Sequence, residues 1–595
     1  MAPGDRAGPL RSRDDSARET QRPFLANMNA SDQFAVSEFP EPRLRFGIVV
    51  DSNGMPAYAK RILEEVQRTN FVDVVAIIAC SRLPHEIQGR SRPDLGIRIY
   101  DFITSRRQMI EWDPLRVIGY DEILGKNAPE LLRVLPEDLQ ANIATRLSNV
   151  AQEMALDVLF DVTSQGAPRQ AVPYLGIGLW RYHFGDSRRY PAGSSFWREI
   201  VDTAALSGIE LQSIGSTSED DRILARALFS TSPFQSRRAN RQAPLWGSTH
   251  FVVQALWEAQ RSIALAVPNR SRSAGPGLVL SSTEASTELL RTPRWLAREA
   301  YRRSVRRLRS STVGNQWRIA IRRSSIPLPL DTSFLSLSKF RWLDCPLDRY
   351  WADPCLFETP GSVWVFFEDH SQAEGRGAIA CGLLTDSGEL QGVRTILRRS
   401  YHLSYPQIFS SDGEIFMIPE SAQAGEVQLY RARAFPHDWV QEAVLLRLSC
   451  VDPTVFWRAG RWWMMASPVV FPGHAPITWL FSAPHIVGPW KLDPSGPVAM
   501  DASYARGAGR VFHHAGRDIR PSQDCSVTYG RAVIFNEIIE LGQNTYTEKP
   551  VARVEGGWMP GLLGVHSYSR ASDWEAIDGL FDLPPRSAPK LTTPP

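Results

Sequence analysis

The chain has 595 residues but only six cysteines (Cys80, Cys345, Cys355, Cys381, Cys450 and Cys525), and none form a C-x-x-C pair. That scarcity excludes a disulfide scaffold and a zinc ribbon, and it points to a reducing compartment. No apolar run approaches the roughly 20 residues that a membrane helix needs. The N-terminal stretch "MAPGDRAGPLRSRDDSARETQRP" lacks the apolar core of a signal peptide. A net charge of only +3 gives no overall affinity for nucleic acid. The expected setting is therefore the cytoplasm. What is present is ordinary for globular protein, 43% hydrophobic and 22% charged residues, in a chain too long for one core.

Five segments are expected. Residues 1–42 form a disordered tail, 43–265 an α/β domain, 266–315 a basic linker, 316–582 an all-β domain and 583–595 a second tail. In "LRFGIVVDSNGMPAYAKRILEEVQ", Leu44–Val50 reads as a buried strand. Ala57–Gln67 reads as a helix with Ala59, Ile62, Leu63 and Val66 on one face. "VDVVAIIAC", "LDVLFDVT" and "YLGIGLWRYHFGD" are further strands. Strand, helix, strand in that order predicts a parallel sheet.

The basic segment holds eleven arginines and one acid, Glu299, between Arg291 and Arg323. Such a segment is first a solvated linker. It also suits an anionic membrane surface, and nucleic acid less well.

From about Gln316 the texture is all β. "DPCLF", "YPQIF", "DPTVF" and "AGRVF" recur at intervals of about 50 residues, each followed by a turn and an aromatic strand. "GLLGVHSYS" starts a fifth unit. Units of that length predict a five-bladed β-propeller, closed by a strand from Gln316–Arg322 or from the C-terminal segment. Inner strands of a propeller start at one face, so Asp353 and Asp452, equivalent in the repeat, should share an axial funnel, with Tyr405 in the same position of blade two. Pro354 biases Asp353 toward extended backbone at a strand's first residues. Glu368 and Glu420 close the second strands of blades one and two, and Arg520, Gln523 and Asp524 lie in "RPSQDC". Glu368 and Glu420 are expected as further catalytic acids beside Asp353 and Asp452, and Tyr405, Arg520, Gln523 and Asp524 as substrate-binding groups, although taken singly such charged residues are more often solvated turn groups.

The motifs "WADPCLF" and "VDPTVF" resemble those of the five-bladed furanosidase-type glycoside hydrolases, including family 43. The resemblance implies Asp353 as general base and Asp452 as the group that tunes the acid. The family's third acid, a Glu opening blade four, is replaced by Gly507-Ala508-Gly509. A closer resemblance, carried by "YWADPCLFE", "FFEDH", "YPQIF", "FMIPES", "DPTVF" and "RPSQDCSVTYG", is to the propeller domain of plant glucosamine inositolphosphorylceramide transferases and bacterial relatives. It implies engagement with a glycan or sugar nucleotide; the plant enzymes' separate glycosyltransferase domain is not expected here. No metal is expected.

Residues 44–230 resemble the formyltransferase domain that uses formyl-tetrahydrofolate. "GLWRYHFGD" places His183 on the family His and Arg181 on its Asn. The late Asp falls on Glu219, Asp220 or Asp221, with Asp220 the central choice. Formyl transfer passes through an oxyanion that needs a donor and a base. Three readings follow: a carbohydrate-active enzyme working through the propeller, a non-catalytic glycan-binding protein, and a sugar-nucleotide formyltransferase with an accessory propeller.

Overall fold

The computed structural model describes residues 42–80, 113–123, 131–135, 143–163, 166–190, 196–231, 237–265, 272–273, 314–469, 477–543 and 545–583. Residues 1–41, 274–313 and 584–595, which hold nearly all of the two expected tails and the basic segment, lie outside them.

Among the described residues, the N-terminal domain is built on an eight-stranded sheet, with a separate two-stranded pair of Met55–Pro56 and Val117–Ile118. The sheet's strands are β1 (Leu44–Asp51), β2 (Val72–Cys80), β3 (Leu131–Leu135), β4 (Val158–Asp161), β5 (Gly178–Phe184), β6 (Leu206–Ile214), β7 (Arg222–Ser230) and β8 (Arg272–Ser273), in the order β8-β7-β6-β5-β4-β1-β2-β3. β1 is buried along most of its length because it lies between β2 and β4. Helix α1 (Ala57–Gln67) crosses from β1 to β2 and buries Tyr58, Ala59, Ile62, Leu63 and Val66. Its i,i+4 pair Arg61–Glu65, 2.8 Å apart, gives the buried Glu65 a counter-charge.

The expected α/β domain with parallel pairing is present, within a sheet that is mixed. The pairs β1–β2, β1–β4, β2–β3 and β4–β5 are parallel, but β5–β6, β6–β7 and β7–β8 are antiparallel. A short turn joins β6 to β7, and a turn of that length cannot carry the crossover that a parallel neighbour requires.

The second domain is a five-bladed propeller. Blades one to four are four-stranded antiparallel sheets whose innermost strands are Arg349–Thr359, Ser404–Ser411, Cys450–Arg458 and Phe512–His514. In blade five the inner segments Leu562–Gly564 and Tyr568–Ala571 pair with Trp574–Leu583, which in turn pairs with Gly314–Arg323. The strand that enters the domain thus closes the ring against the strand that leaves it.

The two domains share a core. Phe229, Leu245, Phe251 and Trp257 belong to the same buried cluster as Phe416, Met464, Ile477 and Trp479. Leu228 donates its N–H to Met500 O and accepts from Ala502 N, both at 2.8 Å. Strand β7 therefore has part of its open edge covered by the propeller itself, which removes a pairing liability.

Candidate functional site

Three inner strands carry the same irregularity. In blade one the pairing steps from Ala352–Glu368 to Cys355–Phe366, so Asp353 and Pro354 together oppose one residue. Blade two does this at Tyr405-Pro406 and blade three at Asp452-Pro453. These are β-bulges, which bend a strand and re-aim a side chain. The bulged residues take left-handed backbone, with φ 52° at Asp353, 45° at Tyr405 and 52° at Asp452. This corrects the expectation for Asp353. The residue before proline avoids the right-handed region, and here the bulge places it in the left-handed region rather than in extended backbone. Strain of this kind, repeated three times, marks a place where side-chain direction matters.

The bulges bring the acids together. Asp353, Glu368 and Asp452 are buried and Glu420 is half-buried. Asp353 accepts the Tyr405 N–H at 3.3 Å, and Glu420 accepts the Asp452 N–H at 3.3 Å. Each blade's acid thus touches the next blade's bulge. Burial, then Asp452 and Asp353, pushes Glu420 up to about 8. Burial, then Asp353 and Glu420, holds Glu368 well above the carboxylate range. Asp353 is pushed by burial up to about 7, against the pull of His566. Burial and mutual repulsion thus favour the protonated forms of Glu368, Glu420 and Asp353 relative to free carboxylates, a bias that acid–base chemistry can use.

Two basic side chains face the cluster. Arg506 meets Asp452 through Nε at 2.6 Å. His566 lies with Nε2 3.3 Å from Asp353 and Nδ1 2.8 Å from Asp578. Burial opposes the charge on Asp578, yet His566 and the Asp353 and Ser567 donors outweigh it and hold Asp578 below its ordinary value. Burial likewise opposes charge on His566, but Asp578 and Asp353 raise it. Asp353 is thus gripped by a buried His–Asp pair from blade five.

Tyr405 is less open than expected of a substrate-binding group. Its hydroxyl accepts the Gly509 N–H at 2.6 Å and lies 3.0 Å from Thr454 Oγ1. It also explains the missing third acid. A Cβ at Gly507 would fall 2.8 Å from the Tyr405 hydroxyl and 3.1 Å from Asp452 O, so no side chain fits there. Gln523 does reach the cluster, donating to Gly507 O at 2.7 Å and lying 3.5 Å from Asp452 Oδ2. Arg520 and Asp524 are turned to other tasks. Arg520 makes a two-pronged ion pair with Glu548, at 2.7 and 2.6 Å, while Asp524 meets Arg553 at 2.7 Å.

Two sets of three ligand atoms lie within 4.8 Å of one another: Asp353, His566 and Asp578, and Glu368, His370 and His402. In the first, each imidazole nitrogen already faces a carboxylate. In the second, His402 Nδ1 accepts the Gly377 N–H at 2.9 Å, so in the neutral ring Nε2 carries the proton and faces Glu368 at 3.6 Å. Among the described residues, the first set is an ion-paired cluster and the second a loose group in which His402 is already engaged by the Gly377 N–H.

The N-terminal residues do not assemble. His183 Nε2 lies 2.9 Å from Tyr190 O. Arg181 donates to Ala167 O at 3.0 Å and lies 3.7 Å from the buried Asp161. Asp220 is exposed in a capping box with Thr217. The turn that holds it leaves β6 at Ile214, which pairs with Leu179, whereas His183 pairs with Glu210. Four residues of strand separate those rungs, about 13 Å. The expected His183–Asp220 constellation is therefore corrected: the capping box keeps Asp220 at the far end of the strand.

Sequence reasoning missed His566, Asp578 and Arg506. His566 was within reach of the repeat, since "GVHSYS" falls where blade five interrupts its inner strand as the bulges interrupt the others.

Fold and site together define a two-domain chain: an α/β sheet fused through a common core to a five-bladed propeller with an acidic axial funnel. Its residues 326–555 match the family model described as glucosamine inositolphosphorylceramide transferase 1, N-terminal. Over 209 residues the chain is 36% identical to glucosamine inositolphosphorylceramide transferase 1 of Oryza sativa subsp. japonica, covering 34% of this chain and 28% of that protein. The Arabidopsis thaliana protein of the same name is 32% identical over 211 residues, 34% of this chain and 27% of that one. The chain thus spans little more than a quarter of these relatives' length. Among solved structures, an exo-beta-1,3-galactanase from Phanerochaete chrysosporium with galactose aligns at 15% identity, over 36% of this chain and 53% of that one, with a TM-score of 0.29. Glycinamide ribonucleotide transformylase 1 from Symbiobacterium toebii aligns at 10% identity, over 40% of this chain and 99% of that one, with a TM-score of 0.27.

Proposed function

We propose that this is a carbohydrate-active protein that acts on a glycan or activated sugar through the propeller's funnel, in the assembly of a glycolipid or surface polysaccharide. One observation carries the reading: four acids from three blades converge, with Asp353 and Glu420 each accepting a backbone N–H from the next blade's bulge. In glycosyl chemistry Asp353 is the base, Glu420 or Glu368 donates the proton to the leaving oxygen, and Asp452, fixed by Arg506, orients its neighbours. The similarity to glucosamine inositolphosphorylceramide transferases over the propeller supports the sugar-directed part.

A second reading, a glycan-binding protein without turnover, is favoured by the absence of any side chain at Gly507 and by the ion pairing of Asp452. The formyltransferase reading, with formyl-tetrahydrofolate as cofactor, has weaker support because His183 and Asp220 stand apart. A cytoplasmic location, with the basic segment resting on an anionic inner membrane face, suits lipid-linked acceptors; each arginine near such a surface contributes about 1 kcal/mol.

A glycan array combined with a sugar-nucleotide thermal-shift screen tests the main reading, because a ligand of the native state raises its stability. The expected result is a shift with at least one sugar ligand that Asp353→Asn weakens. A screen with no response, alongside a shift with formyl-tetrahydrofolate, would replace it. Co-sedimentation with anionic vesicles at low and high salt tests the membrane contact, with loss of binding expected when Arg294, Arg298, Arg302, Arg306 and Arg309 are changed to Gln.

A further inference from the structure

Tyr529 lies beside the buried acid cluster, on the connection between the second and third strands of blade four, and 49% of its surface is exposed. The Arg506 guanidinium lies over its ring, 5.0 Å from the centroid, while Nε of the same group holds Asp452. Tyr529 is 5.3 Å from the His566 ring and meets Trp317 edge-on at 6.4 Å. It therefore lies against both basic side chains that grip the acid cluster. Trp317, half-buried on the closing strand, packs against His566 with ring centroids 4.0 Å apart and the planes tilted by 36°.

The support beneath Tyr529 is built without slack. Gly530 has φ 66°, and a Cβ there would lie 2.6 Å from the Trp317 ring and 3.0 Å from His566 Cβ. Only glycine lets the backbone lie against Trp317 at this point, and that contact fixes where the preceding tyrosine projects. Singly exposed apolar side chains are common and need no explanation. An aromatic ring held by a cation and by a glycine-dependent backbone contact, next to buried acids, is a different object.

We propose that Tyr529 is the stacking platform of the funnel, receiving the apolar C–H face of a pyranose ring and presenting its glycosidic oxygen to the acids. Trp317 and Gly530 are positioning residues that hold the platform. A pyranose chair offers a flat C–H face, and an aromatic ring with one open surface complements it at low entropic cost. This inference rests on the reading of the propeller as a sugar site.

Calorimetric titration of the full chain with chitobiose, cellobiose and β-1,3-galactobiose tests it, with melting curves to verify folding. The wild-type chain binds at least one disaccharide, Tyr529→Ala weakens that binding about tenfold, and Tyr529→Phe stays within about twofold. Gly530→Ala, which displaces the platform without removing it, weakens binding in the same direction. Wild-type binding that Tyr529→Ala leaves unchanged overturns the platform alone. A wild-type chain that binds none of the three overturns the platform together with the sugar-site reading on which it rests.

Discussion

The propeller and the α/β sheet both carry charged side chains near strand ends, but they use them differently. In the propeller, three repeats share one bulge, and each bulge turns its residue toward a common axis. Acids distant in sequence meet because the repeat superposes them by rotation. In the α/β sheet no symmetry gathers the candidates. Arg181 and His183 lie on one strand, and Asp220 is held in its capping box beyond the other end of that strand's partner. Two carboxylates there are held by structural partners. Asp161 accepts from Thr163 N, Thr163 Oγ1 and Ala167 N, and Asp221 holds Arg169. The difference teaches that charge near a strand end signals chemistry only where the topology makes such groups converge.

The largest effect that can break this comparison is loss of turnover. Asp353→Asn removes the base and should lower any glycosyl-transferring or hydrolytic rate by about 10²–10⁴-fold. His183→Ala should leave that rate intact. Product release from the substrate that the screen identifies is the measurement. The reverse pattern would move the active centre to the α/β domain.

A second contrast sets two arginines against each other. Arg506 is 19% exposed and pairs with a 4% exposed Asp452 at 2.6 Å. Removing it leaves a buried charge with little compensation, and Arg506→Met should cost about 3 kcal/mol, the low end for a broken buried pair. Arg181→Met should cost about 1 kcal/mol, because Asp161 keeps its three nearer donors. Urea midpoints at constant slope would resolve the two. Equal losses would mean that the funnel pair is no more buried in effect than the sheet pair.

Much of the architecture was written in local pattern. Helix Ala57–Gln67 and strand Val72–Cys80 fall where apolar periodicity puts them. Asp353, Glu368, Glu420 and Asp452 were visible because a repeat marks equivalent positions. Three things were not legible. Strand direction is absent from periodicity, so the antiparallel half of the sheet was hidden. The bulge backbone was misread because a proline constrains its predecessor only to avoid one region, and the fold chooses among the rest. Asp578, whose carboxylate receives the Asp353 N–H from 225 residues away, sits in an ordinary strand with no motif around it. Arg506 precedes a glycine whose meaning, exclusion of a side chain by Tyr405, exists only in three dimensions.

The smallest effect, and the one that best sharpens the comparison, is on the pH dependence of stability. Glu420 and Asp353 are raised to about 8 and about 7, so between their unfolded values, near 4, and about 8 the folded chain binds more protons than the unfolded chain. Stability must then fall as pH rises through that window and level off above it. His566, also raised, adds loss in the same direction above its ordinary value of 6.5. Asp578, held low, acts with the opposite sign but only below its ordinary value of 3.8, outside the window. The acids titrate as a coupled set, so the decline is shared rather than assigned to one residue. Glu420→Gln takes one proton out of the set and removes the cost of ionising it in the funnel. It should raise the melting temperature by about 2–4 °C at pH 8, where a change of about 1 kcal/mol shifts a large domain by that amount. At pH 5 it should change little, because the wild-type glutamic acid is then already neutral. Melting curves at both values check this. A variant that melts lower at pH 8, or equally shifted at both, would mean that Glu420 is not held protonated by the fold and would leave Glu368 as the proton donor of the funnel.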